Sequence, residues 1–137
     1  MSRRSTDRYH WTWHRAVRRV CQRVLLKAVI RAEVQVTVEG ERNVEGLEGP
    51  FIVVGYHSSH LDAATMLTYL PYSLTRNLAT ATAGDYFYNN PVRSNFVGLF
   101  FNSFPVDRGV RNSKNAGLSV SLLRSGVPLL IYPEGTR

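Results

Sequence analysis

Cysteine is almost missing from this 137-residue chain, where Cys21 stands alone. A single cysteine excludes an intrachain disulfide framework and any multi-cysteine metal site. Long apolar runs are missing too. A bilayer span needs about 18 or more nearly uninterrupted apolar residues. The longest stretches here are residues 96–101 and residues 24–30, the second broken by Lys27, so no transmembrane helix is expected. Arg3 and Arg4 make a basic start, but no apolar core follows before Arg15, Arg18 and Arg19. That beginning does not read as a secretory signal. Acidic residues are few, ten against seventeen basic, for a net charge of +7. The scarcity does not extend to core formers. Hydrophobic residues make 44% of the chain and charged residues 20%, which argues against wholesale disorder. The length suits one domain with its own core.

The excess charge is confined to one end. Residues 1–31 carry nine basic side chains against Asp7 alone, a net of +8, and residues 32–137 come to −1. The first 31 residues thus form a basic segment with an anionic partner to find, and residues 32–137 form a near-neutral body. Residues 11–31 contain neither glycine nor proline. At about 100° per residue, Trp13, Val17, Val20, Cys21 and Val24 share one arc of a helix, with Arg15, Arg18, Arg19 and Arg23 opposite. Past Val24 the pattern degrades. A basic amphipathic helix with tryptophan at one end fits a membrane surface, with arginine pairing to anionic lipid. It also fits a helix packing its apolar arc on the body with its arginines solvated, or a nucleic-acid contact.

Beyond Arg31 the period changes. Residues 33–39 alternate strictly and predict a half-buried strand. Residues 51–54 are a short apolar run and predict a buried strand. Residues 61–70 predict a helix stopped by Pro71, and residues 78–83 another strand. Residues 91–101 predict a helix with Pro91 in its first turn. A short extended piece at 103–106, a helix at 113–124 stopped by Ser125-Gly126, and a buried strand at 129–132 complete the pattern. Strands alternating with helices predict an α/β layered domain with a mostly parallel sheet, preceded by the amphipathic helix.

Three polar clusters follow three of these strands: His57 to Asp62, Asp107-Arg108-Gly109, and Pro133 to Arg137. Parallel strands set their carboxyl ends along one edge, where ligands bind, so the clusters could share a site. Neutral imidazole is the usual general base near neutral pH, and it works better with a carboxylate fixing its tautomer. One helical turn could bring Asp62 to His57. The same residues also fit a structural role, because Ser59-His60-Leu61-Asp62 matches a helix-capping pattern. His57 and His60 find no further ligand set, so no metal site is expected. Arg108 fits either a phosphate or a surface pair with Asp107 or Glu134.

These clusters resemble the glycerolipid acyltransferase family, enzymes that acylate lysophosphatidic acid and glycerol phosphate. The family's H-x-x-x-x-D block stands here as His57-Ser58-Ser59-His60-Leu61-Asp62, with Tyr56 where asparagine is commoner. An arginine block stands as Phe104-Pro105-Val106-Asp107-Arg108, and an F-P-E-G-T-R block as Tyr132-Pro133-Glu134-Gly135-Thr136-Arg137. The likeness covers residues 36–137. It implies that His57 is the base and Asp62 its partner. It implies that Arg108, Glu134, Gly135, Thr136 and Arg137 hold the acceptor. It also implies acyl transfer to a lysophospholipid such as 1-acylglycerol 3-phosphate, from acyl-CoA or acyl carrier protein, with no cofactor. The enzyme would lie peripherally on the cytoplasmic face of a membrane, bound through residues 1–31 and without nucleic acid. Another lipid or glycolipid alcohol is the alternative acceptor, and an inactive membrane-binding fragment the alternative role. Family domains carry further strands and a fourth block after the third. By that measure the chain looks like an N-terminal fragment, and the strand at 129–132 is expected to leave a sheet edge and a core face uncovered.

Overall fold

The structure is a computed structural model and describes residue 9 and residues 12–59, 61–83, 90–106 and 113–134. Four strands form one sheet: β1 (Ile52–Val54), β2 (Ala79–Ala83), β3 (Phe104–Val106) and β4 (Leu129–Ile131). Their order is β1-β4-β2-β3, and all three pairings are parallel. Ile52 is in register with Leu129, Ala79 with Leu129, and Ala81 with Phe104. The α/β class with a parallel sheet is thus the architecture observed.

Parallel strands need cover on both faces. Helix α3 (Asp62–Tyr69), a short turn of helix α4 (Tyr72–Thr75) and helix α5 (Pro91–Phe101) lie between β1 and β3 in the chain. On the face they cover, Leu67, Leu78 and Leu130 are buried together, with Phe51, Val53, Met66, Phe101 and Tyr132 packed around them. Helix α6 (Ser113–Arg124) covers the other face, where Leu122 joins Ala79, Phe104, Val127, Leu129 and Tyr9.

Local chemistry sets the helix ends. Leu70 is extended, as a residue before proline must be, and α3 stops there. The Asn90 side chain accepts from the amides of Val92 and Arg93, and Pro91 occupies the first helical position of α5. At the end of α6, Gly126 takes φ 83°, the Gly126 amide donates to Leu123 O and the Val127 amide to Leu122 O. That double bond pattern needs a left-handed residue, which glycine supplies without a Cβ clash.

Three expectations are corrected. The strand expected at 33–39 does not form: Glu33 ends a helix, and over 34–39 Val36 and Val38 are half-buried among exposed neighbours but pair with no described strand. Alternation chooses a face, and pairing needs a second condition, a free partner edge. The run at 51–54 is not buried throughout: Ile52 is 49% and Val54 62% exposed, because β1 stands at the sheet edge. Conversely, β4 is no edge. It lies between β1 and β2, and Leu129 and Leu130 are fully buried.

The N-terminal helix forms an outer layer. It runs as α1 (Thr12–Val20), a π-helical stretch (Cys21–Leu26) and α2 (Lys27–Glu33), and it packs on α3 and α5. Its orientation reverses the packing expectation. Trp13, Val20 and Val24 are each nearly three-fifths exposed, whereas Arg18, Gln22 and Ile30 are buried. The inward polar groups meet helix ends. Gln22 Nε2 donates to Phe100 O at 2.7 Å, and Arg23 Nη2 to Leu70 O at 2.6 Å. The last carbonyls of a helix have no partner within it, and long polar side chains supply one. Arg19 lies over the Tyr72 ring at 4.5 Å and Lys27 over the Tyr69 ring at 5.5 Å. Among the described residues, no helix is long and apolar enough to cross a membrane.

Candidate active site

Strand β1 delivers the first site residue. Along 51–57 the odd positions are half-buried and the even ones exposed. His57 therefore continues the face that carries Phe51, Val53 and Gly55 toward α3, while Tyr56 points away at 77% exposure. That alternation sets Tyr56 on the opposite face from His57.

Five residues later, α3 begins at Asp62. The loop between them folds over the carboxylate. Asp62 Oδ2 accepts from the Ser59 amide at 2.6 Å and the Ser58 amide at 2.7 Å, and lies 3.1 Å from His57 Nδ1. The Ser59 hydroxyl accepts from the Leu61 amide at 3.2 Å. The capping and catalytic readings of Asp62 thus describe one arrangement. The carboxylate closes the helix start with two backbone bonds and uses the same oxygen to hold the imidazole.

Burial alone would raise the Asp62 pKa. The bonds from the Ser59 amide, His57 and the Ser58 amide outweigh it and hold the carboxyl below its usual range. An ionised carboxylate can only accept, so Nδ1 is the donor in this contact, and in the neutral imidazole the lone pair is then on Nε2. The two side chains retain 25% and 20% exposure, enough for a substrate to reach. This is the layout of a general base with its orienting acid.

Strand order places the other clusters. β4 lies beside β1, so Pro133 and Glu134, both exposed, follow the strand next to His57. β3 is at the far edge, three strand spacings from β1, roughly 14 Å at the usual spacing of neighbouring strands. Phe104–Val106, the described part of the arginine block, is therefore separated from the strand before His57 by β2 and β4. Arg108, Gly135, Thr136 and Arg137 lie outside the described residues, as does His60.

The sequence reading missed Tyr132 and Gly55 as parts of the site. The Tyr132 ring centroid lies 4.6 Å from that of His57, the planes inclined at 31°. The available signal was the block itself: an aromatic residue immediately after a buried strand beside the one that leads to His57.

A family model described as acyltransferase matches residues 35–137, more than half the chain. Among curated proteins and among solved structures, none matches significantly.

Proposed function

This chain belongs to the acyltransferase family, and on that premise we propose that it moves a fatty acyl group to the hydroxyl of a lysophospholipid such as 1-acylglycerol 3-phosphate. The donor is a thioester, acyl-CoA or acyl carrier protein. The observation that carries the reading is the His57–Asp62 pair, with Nδ1 3.1 Å from Oδ2, an arrangement that in the neutral imidazole leaves Nε2 as the acceptor. A hydroxyl is a poor nucleophile until a base takes its proton during attack. Nε2 removes that proton as the oxygen bonds to the thioester carbonyl carbon. The C–S bond then breaks, and the sulfur leaves as thiol with the proton returned from the imidazolium. Asp62 steadies the imidazolium between the two transfers. No serine nucleophile is involved, because Ser58 and Ser59 lack a G-x-S-x-G elbow. Arg108, with Arg137, binds the acceptor phosphate in a bidentate way, and Glu134, Gly135 and Thr136 complete the acceptor-binding set.

Thiol release with the phosphate-bearing acceptor and with a phosphate-free lysolipid tests the reading. Arg108→Ala is expected to raise the KM of the phosphate acceptor by about tenfold or more, with the donor's nearly unchanged. Lysine should restore part of the loss, since it keeps charge but lacks the fork. Equal activity on both acceptors would move the substrate to another lipid or glycolipid alcohol.

The acceptor lives in a lipid surface, and the N-terminal helix is the part proposed to meet it. Trp13, Val17, Val20, Val24 and Val29 form an exposed apolar row on a segment of +8 charge. Such a row enters the headgroup layer while the surrounding cations favour anionic lipid. Replacing Val20 and Val24 together by aspartate should lower vesicle partition about 10²-fold, because two apolar burials of about 1.5 kcal/mol or more are lost. Both side chains are exposed, so melting should not change. Vesicle binding untouched by the pair, or tight DNA binding without lipid preference, would sink the lipid assignment.

A further inference from the structure

Tyr132 follows β4 directly, and the Gly55 amide donates to Ile131 O at 3.0 Å. The two strands thus continue side by side for one residue beyond their ladder. A Cβ on Gly55 would lie 2.7 Å from Tyr132 Cε1 and 3.3 Å from Cδ1. Only a bare α-carbon lets the ring lie across the neighbouring strand. The same ring meets the His57 imidazole at 4.6 Å. Its hydroxyl is buried and has no hydrogen-bond partner among the described residues. Burial, and then the charge of Asp62, push the phenol pKa up, so the hydroxyl offers no base.

A hydrogen bond from Nδ1 to Asp62 fixes one point of the imidazole and leaves it free to rock about that point. A flat surface against the ring removes the rocking. We infer that Tyr132 is a positioning residue for acyl transfer: its ring, admitted by Gly55, holds the His57 imidazole in the plane that aims Nε2 at the reacting hydroxyl. This rests on His57 being the base. The aromatic face carries the effect, and the unpartnered hydroxyl adds nothing to it.

The test uses the full 137-residue chain. Tyr132→Phe keeps the face and should keep kcat within about twofold. Tyr132→Leu fills much of the space without the face and should lower kcat by about 10–10²-fold, the scale of a misplacement near 1 Å, with little change in either KM. Gly55→Ala displaces the ring and should reproduce that loss, giving a second route if the leucine variant does not fold. In wild type and Tyr132→Phe, the His57 Cε1–H resonance should carry an aromatic ring-current shift that Tyr132→Leu abolishes. In a His57→Ala background, Tyr132→Leu should cost nothing further. Wild-type kcat in both Tyr132→Leu and Gly55→Ala, with His57→Ala inactive, would overturn this inference alone. So would a phenylalanine variant as impaired as leucine, or an undiminished loss in the His57→Ala background. A His57→Ala chain with full turnover would remove the base assignment and this inference with it.

Discussion

Replacing His57 by alanine is expected to lower the kcat of acyl transfer by about 10²–10⁴-fold, the range a positioned general base contributes. The fold should survive, because the imidazole is a quarter exposed and its polar contact among the described residues is with a carboxylate that keeps two backbone donors without it. The donor KM should change little, since the lone pair acts on the acceptor's proton. Circular dichroism melting and turnover on the same preparation check both halves. Turnover near wild type in a folded variant would end the assignment. Severe loss in His60→Ala with little in His57→Ala would show that the neighbouring histidine is the base.

Asp62→Asn is expected to lower kcat about 10²-fold. The side-chain oxygen at this place is pinned by two amides at 2.6 and 2.7 Å. Asparagine must keep its own oxygen there, so His57 Nδ1 still finds an acceptor and the tautomer is retained. What disappears is the negative charge that steadies the imidazolium. A pure capping role predicts the rate kept and stability nearly unchanged, since asparagine caps about as well as aspartate. The acid limb of stability separates the charge from the cap. The native carboxyl titrates below its unfolded value. Its contribution is therefore complete above the unfolded value and fades as pH falls through the native one, below about pH 4. Wild type should lose stability there more steeply than Asp62→Asn, which has no proton to gain.

The parts of the fold that were legible in the sequence are those fixed by short-range chemistry. Pro91 opened α5 and Gly126 closed α6 where their backbone preferences require. Pro71 stopped α3 through its effect on Leu70. The His57-to-Asp62 spacing was readable because a strand end followed by a helix start leaves few paths for five residues. Three other features depend on partners far along the chain. Residues 33–39 alternate yet pair with no described strand, since alternation says nothing about a free edge. The N-terminal helix was read with a single angular step, and the stretch Cys21–Leu26 bonds i to i+5 instead. That change of step is why the pattern decayed past Val24. The inward arginine face was illegible for a related reason: the carbonyls of Leu70 and Phe100 that attract Arg23 and Gln22 belong to other helices. Tyr132 went unread as a site residue because its meeting with His57 is set by strand order, and nothing in a linear pattern states that the last strand lies beside the first.

That strand order also imposes a schedule. Ile52 pairs with Leu129, 77 residues later, and among the described strands β1 has no other neighbour. A ribosome adding 5–20 residues per second needs roughly 4–15 s to bridge that interval. During the whole of it, the segment bearing His57 has been made and has nothing in the sheet to hydrogen-bond to. β2 and β3, which pair with each other across a much shorter span, can join well before. On this strand order β1 gains its sheet neighbour only once β4 has been made and inserted between β1 and β2.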